Sequence, residues 1–264
     1  MTPRKADGSA GDADYGDIGT VYTGHRNPDP RIAAAITAAI GDARSVLNVG
    51  AGAGSYEPLD RDVTAVEPSA SMRALRPASR PAVDATAEAL PFPDAAFDAA
   101  MATFTVHQWS DLAGGLAELR RVTRGPVVLL TADPDLVRDF WLYEYAPEVL
   151  DVEARRYPAI TDLASGLGGG VRVDLVPIPN NCVDGFNEAY YGRPEKFLDP
   201  TARQACSAWS FVDGAVADRF ATRLEEDLAD GTWDRKYGQL RNQPTYAGSL
   251  ILVTSHPAAT DTSA

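Results

Sequence analysis

Five residues that read as a buried strand, SVLNV (45–49), run straight into GAGAGS (50–55). No other stretch limits the fold as tightly. Glycines at 50, 52 and 54 let the main chain turn sharply and leave bare backbone on which a ligand can lie. A second apolar run, VTAVE (63–67), ends in an acid, Glu67, 17 residues after Gly50. A carboxylate at that strand tip is placed to accept two hydrogen bonds from a ribose diol, in the crevice where an open parallel sheet binds its ligands. Loop and acid together predict a ligand that contains a nucleoside. Dinucleotide sites use G-x-G-x-x-G, whose third glycine brings helix and strand close. Here Ser55 stands in that place, and Pro58 and Asp60 shorten any helix before the second strand. The pocket therefore reads as one for adenosine without a phosphate chain.

Around this loop, strands and helices alternate. A helix is expected from Asp29, with Pro30 in its first turn, Gly41 at its end and Ile32, Ile36 and Ile40 along one face. After the second strand come a short helix through Met72 and Leu75 and a weaker third strand at 82–86. FDAAMATF (97–104) reads as a fourth strand and GPVVLLTA (125–132) as a fifth. Between them a helix over 110–123 has Leu112, Leu116, Leu119 and Val122 on one face. Such alternation argues for a parallel sheet covered on both faces. Past Asp133 the pattern changes. VRVDLVPIP (171–179) predicts a sixth strand, 184–247 mostly helix with a stripe of Val216, Phe220, Leu224 and Leu228, and SLILVTS (249–255) a seventh strand. The expected organisation is one domain: a tail at 1–14, a ligand-binding core at 15–133, a cap with the sixth strand at 134–247, and the last strand and tail at 248–264.

Composition narrows the partners. With 24 Lys+Arg against 37 Asp+Glu, the formal charge is −13. That charge opposes binding to nucleic-acid phosphates or an anionic membrane surface. Hydrophobic residues make up 45% of the chain, enough for a sizeable core without staples. Cys182 and Cys206 are too few for a disulfide framework or a zinc knuckle and read as free thiols of a reducing compartment. No stretch has the ~20 apolar residues of a membrane span, and the start lacks a signal-peptide core. A soluble, cytoplasmic protein without a metal is expected.

VLNVGAGAGSYE (46–57), VTAVEPSASMRAL (63–75), TAEALPFPDAAFDAAMATFTVHQW (86–109) and LAELRRVTRGPVVLLT (116–131), in that order, resemble the class I S-adenosylmethionine-dependent methyltransferases. The branch they are most similar to is the ubiquinone/menaquinone-biosynthesis type (methyltransferase domain 11-like). The resemblance covers roughly 15–133 and implies a Rossmann-like α/β fold with a seven-stranded, mostly parallel sheet and a helical cap. It implies S-adenosylmethionine as cofactor, S-adenosylhomocysteine as product and no metal. Gly50, Ala51 and Gly52 would pass under the methionine part, and Glu67 would hold the ribose. Pro68 and Met72 would wall the adenine, Thr86 and the Ala87 N–H would meet its edge, and Thr103 and Phe104 would flank the sulfonium. Arg26, in YTGHRNPDPRI (22–32), would pair with the methionine carboxylate. Two positions depart from the family pattern: Asn48 and Thr86 stand where many members carry an acid. Asn48 can still hydrogen-bond the loop.

Methyl transfer needs an aligned nucleophile and, for a protic acceptor, a base. His107, just past the fourth strand, and His25, with Tyr22 three residues before it, are the candidates; His256 lies in the tail. Trp109, Trp141, Tyr143, Tyr190 and Tyr191 are candidate walls for an acceptor pocket, although such aromatics also pack caps. They favour a small aromatic or apolar acceptor, methylated on oxygen, nitrogen or a ring carbon such as that of an indole, in natural-product biosynthesis. A homodimer is left open. The alternatives are a cofactor-binding enzyme that does not methylate, such as a cyclase, and a nicotinamide-dependent reductase on a Rossmann fold.

Overall fold

The computed structural model describes residues 24–168 and 170–257. Tyr22, the tail at 1–14 and residues 258–264 lie outside them; His256, expected in the tail, ends the last strand. Helix α1 (Pro30–Ile40) is set by its ends. The Asp29 side chain caps it by accepting from the Arg31 N–H, Pro30 opens the first turn, and Gly41 closes it at φ 66°. Ile32, Ile36 and Ile40 form its buried face.

Strand β1 (Ser45–Val49) pairs in parallel with β2 (Asp62–Val66), and β3 (Ala82–Val83) extends the sheet beyond β2. On the other edge of β1, β4 (Ala99–Thr103) and then β5 (Val127–Ala132) add in parallel. These central strands are apolar runs buried on both faces, as parallel strands under helices must be. The chain after β1 goes to one side and later returns to the other. The carboxyl ends of β1 and β4 therefore part to form a crevice.

Helix α2 (Ala70–Ala74) follows β2, and α3 (Leu112–Val122) joins β4 to β5. Three short helices come next: α4 (Leu142–Tyr145), α5 (Pro147–Arg156) and α6 (Ile160–Leu167). Leu116, Leu119 and Val122 of α3 pack with Leu163 and Leu167 of α6 on one face of the sheet. The larger core on the other face joins α1 to the cap through Met101, Phe140, Trp141, Phe197, Phe220 and Trp233.

The sixth expected strand is shorter than its apolar run. Strand β6 (Gly170–Leu175) stays in the sheet, and β7 (Ile178–Pro179) leaves it to pair with β8 (Thr245–Tyr246). Pro177 has no N–H to continue the ladder. The last strand, β9 (Leu250–His256), inserts antiparallel between β5 and β6, completing the order β3-β2-β1-β4-β5-β9-β6. This is the seven-stranded, mostly parallel sheet with helices on both faces that the sequence predicts. One expectation needs correction: the third strand is two residues rather than five. Residues 184–247 are mostly helical, as expected, but broken into short 3-10 helices and α7 (Pro200–Gln204), α8 (Gly214–Ala229) and α9 (Thr232–Tyr237). Gly192, Pro194, Gly231, Gly238 and Pro244 interrupt longer helices there. Among the described residues no helix is long and apolar enough to cross a membrane.

Candidate functional site

The crevice beyond β1 and β4 is a pocket built around the glycine loop. No helix forms between β1 and β2; residues 50–61 are turns and coil. Gly50 and Gly52 take φ 68° and 50°. Both the Gly50 and Ala51 N–H groups donate to the Val66 carbonyl at 2.9 Å, which ties the loop to the neighbouring strand. A Cβ on Gly50 would lie 2.1 Å from Thr105 Oγ1, so the loop and the end of β4 interlock at bare backbone. Lacking a helix N-terminus after the first strand, the loop has no dipole end for a pyrophosphate. This weighs against the dinucleotide alternative.

Glu67 faces the loop at the tip of β2. Its Oε2 accepts from the Gly52 N–H and its Oε1 from the Ser69 N–H, both at 2.8 Å. Burial pushes its carboxyl above the usual range, against those two donors. Each oxygen keeps acceptor capacity, and the side chain lines the pocket. Pro68 and Met72 line the pocket beside it, with Thr86, Ala87 and Glu88 from the following loop. Thr103, Phe104, Thr105, Gln108 and Trp109 come from the end of β4 and the turn after it.

Asn48 bonds the loop as the sequence suggests, through a side chain rather than the backbone. Its amide donates to Glu57 Oε1 at 3.0 Å, since Glu57 is the nearest strong acceptor. Arg76 Nη2 grips Glu57 at 2.8 and 3.0 Å, and its Nη1 reaches the Ala51 and Gly52 carbonyls at 3.5 and 3.3 Å. A buried Asn48–Glu57–Arg76 network thus props the loop from below.

Arg26 closes the pocket from another side. Its Nε donates to Asp184 Oδ1 at 2.6 Å, and its guanidinium lies 5.0 Å from the centre of the Phe104 ring. The Tyr56 hydroxyl donates to Asp184 Oδ2 at 2.8 Å. Burial and the Asp184 charge raise the phenol far above its ordinary range. The first described segment, the glycine loop and the cap thus meet at Asp184.

Phe104 divides this pocket from two further cavities. Its φ of 53° is unusual for a non-glycine residue, and its ring lies 5.4 Å from that of Phe186. Both cavities are lined by Phe104, Glu153, Tyr157, Phe186 and Asn187. One adds Glu188, Ser249 and apolar residues of β5 and the cap. The other adds Arg26, His107, Arg156 and Cys206. Together they make a chamber behind Phe104.

The sequence candidates therefore separate. Gly50, Ala51, Gly52, Glu67, Pro68, Met72, Thr86, Ala87, Thr103, Phe104, Arg26 and Trp109 all line the first pocket. His107 lines the chamber, its ring 4.6 Å edge-on from that of Tyr157. His25 instead faces α7, with Nε2 2.8 Å from Thr201 Oγ1, which donates to Asp199. Trp141 and Tyr191 need correction as acceptor walls, because packing and backbone bonds occupy them. Trp141 donates to the Tyr191 carbonyl at 3.0 Å, and Tyr191 stacks on Tyr246 and donates to the Gln243 carbonyl at 2.6 Å. Tyr190 packs edge-on against Phe197, and Tyr143 sits at the margin of the same core. The two cysteines are buried and free, and burial pushes each thiol up to about 12.

Sequence reasoning missed Glu153. A signal exists: on α5 it falls in phase with the buried residues Val149, Leu150 and Ala154, so an acid occupies a core-facing position. Asp184 carries no such signal.

A family described as a methyltransferase domain matches residues 47–130. The chain is 29% identical over 177 residues to the uncharacterized protein YafE of Escherichia coli K12, covering 66% of this chain and 75% of that protein. It is 28% identical, with a TM-score of 0.81, to a solved structure from Anabaena variabilis described as a methyltransferase from an antibiotic biosynthesis pathway. That match covers 88% of this chain and 98% of the other.

Proposed function

We propose that this chain acts as a class I S-adenosylmethionine-dependent methyltransferase, that the pocket over the glycine loop holds the cofactor and that the chamber behind Phe104 holds a small-molecule acceptor. One arrangement carries this reading: bare backbone at Gly50–Gly52 faces a buried carboxylate, Glu67, whose two oxygens are already aimed by the Gly52 and Ser69 N–H groups. The cradle suits a ribose and an amino-acid tail. Its glycines present bare backbone to the pocket, and Glu67 keeps lone pairs for two hydroxyls.

Gly50, Ala51 and Gly52 then underlie the methionine part, and Glu67 holds the ribose. Pro68 and Met72 wall the adenine, with Thr86 and the Ala87 N–H at its edge. Thr103 and Phe104 flank the sulfur. Arg26, fixed by Asp184, borders the carboxylate end. S-Adenosylmethionine bound there supplies an electrophilic methyl on a sulfonium. The aromatic rings of Phe104, Tyr157 and Phe186 give the chamber flat apolar walls that suit an aromatic acceptor and exclude water from the reacting centre. Oxygen, nitrogen and ring carbon are all compatible with those walls. His107 lines the chamber wall, so of the two candidate histidines it is the one an acceptor there would meet. His25 is engaged with Thr201 and serves the contact with α7. The Anabaena relative's description supports a role in specialised metabolism.

The test is calorimetric titration with S-adenosylhomocysteine. We expect binding by the wild type, no binding of NAD, and a loss of about 1–3 kcal/mol in Glu67→Ala, the scale of hydrogen bonds to a charged group. Folded protein that gives no heat with S-adenosylhomocysteine would overturn the pocket assignment; unchanged affinity in Glu67→Ala would remove Glu67 from it.

A further inference from the structure

We propose that the acceptor carries an amine and that Glu153 binds its nitrogen. The proposal rests on the chamber being the acceptor site and names what that site selects. The cavity between Phe104 and the start of β9 has two carboxyl groups in its wall, Glu153 and Glu188, and among the described residues no Lys, Arg or His. Its other walls are apolar or aromatic, apart from Asn187 and Ser249. Such a cavity stabilises a cation that has an apolar body.

The two carboxyls have different duties. Glu188 is pinned to the backbone, both its oxygens accepting from the Ser249 N–H at 2.9 and 3.0 Å. Glu153 is aimed by one oxygen only: Oε2 accepts from the Asn187 amide at 2.6 Å, and Asn187 is itself pinned because its Oδ1 accepts from Trp209 Nε1 at 3.1 Å. Glu153 Oε1 takes no hydrogen bond from any described residue. It is the acceptor atom left for a ligand, in a side chain that lines both cavities.

The basic groups nearby have other partners, although the charges of Arg156 and Arg26 also reach Glu153, whose carboxyl burial pushes above its usual range. Arg26 pairs with Asp184, and Arg156 donates to Ser207 Oγ at 2.9 Å and lies over the Phe211 ring. With His107 they line the neighbouring cavity, so the charge in the wall changes sign across the chamber. An ammonium beside Glu153 gains a charge-assisted hydrogen bond, whereas an alcohol of the same shape gains a weaker one.

Glu153 also gives the proton a destination. It takes one proton from the bound ammonium and leaves a neutral amine. The nitrogen lone pair then forms the N–CH₃ bond while the S–CH₃ bond breaks, its electron pair staying on sulfur. The product leaves as the methylated ammonium, and Glu153 returns its proton to solvent.

The experiment is calorimetry on wild-type protein saturated with S-adenosylhomocysteine, titrated with tryptamine and tyramine and with the matched alcohols tryptophol and tyrosol. At least one amine should bind about ten-fold more tightly than its alcohol, the scale of a hydrogen bond between charged groups. Glu153→Gln should abolish that preference while leaving affinity for S-adenosylhomocysteine within about two-fold, because Glu153 lies outside the cofactor pocket. Glu153→Asp, which keeps the charge, should retain the preference at lower affinity. Equal binding of amine and alcohol, no binding of any of the four, or an undiminished preference in Glu153→Gln overturns the proposal. If neither variant folds, the wild-type comparison decides alone. Failure of S-adenosylhomocysteine itself to bind would instead sink the cofactor reading.

Discussion

At the scale of single residues, the glycine loop is held by charges that do not line its pocket. Arg76 and Glu57 have side chains only 1% and 2% exposed, and each is satisfied by the other. A buried pair of this kind adds little over a well-packed apolar pair, but breaking it strands a charge. Arg76→Ala should therefore cost about 3–5 kcal/mol of stability. The double variant Arg76→Met, Glu57→Gln should recover much of that, since the glutamine can still accept from Asn48. Urea denaturation of the three proteins checks both statements. Additive losses in the double variant would mean that the pair is not the coupled unit described here.

At the scale of elements, β9 shows how a late strand is fixed in the middle of a sheet. It enters antiparallel between β5 and β6, so both edges are paired. Its start is fixed by Glu188, which receives the Ser249 N–H. Burial, with the Glu153 charge adding to it, pushes the Glu188 carboxyl up to about 7 despite the Ser249 bonds. An unfolded glutamate titrates near about 4.3. Between those values the folded chain holds a proton that the unfolded chain has lost, so stability falls as pH rises through the window. The full loss by pH 8 is on the order of 4 kcal/mol, at ~1.4 kcal/mol per unit. Asp29 works the other way. Burial raises it, but Arg31 and the Arg31 and Val183 N–H groups outweigh burial and hold it at about 2. Its contribution is lost only as the pH falls through that value. Glu188→Gln should therefore flatten the stability profile between pH 5 and 8. Denaturation at the two ends measures it, and an unchanged slope would remove Glu188 as the cause.

At the scale of the whole molecule, three stretches far apart in sequence meet at Asp184. It takes Arg26 from the first described segment and Tyr56 from the glycine loop, and it belongs to the cap. Arg26 and Asp184 also form a backbone bridge, and the Gly185 N–H donates to the His25 carbonyl at 2.8 Å. Asp184→Ala should remove the carboxylate that receives Arg26 Nε and the Tyr56 hydroxyl and loosen the wall shared by pocket and chamber. We expect about a ten-fold loss of S-adenosylhomocysteine affinity, the order of one charge-assisted hydrogen bond. Unaltered affinity in folded Asp184→Ala would show that the cap and the cofactor pocket are independent.

The sequence by itself determined the sheet, the loop and the carboxylate opposite it. These depend on short-range signals: apolar runs that must be buried on both faces, glycines where the backbone needs positive φ, and an acid at a strand tip. Glu67, Met72 and Ala87 were legible because their places follow from strand order along the chain. Only the tertiary structure decided what lies behind Phe104. Glu153, His107 and the adjacent pair Asn187 and Glu188 come from three separate segments, and no spacing in the sequence brings the three together. The same holds for the aromatics of the cap. Their composition suggested a pocket, but ring packing and backbone bonds consume Trp141 and Tyr191. The physical reason is range: backbone geometry and burial periodicity act over a few residues, whereas a chamber is the space left over when elements distant in sequence pack.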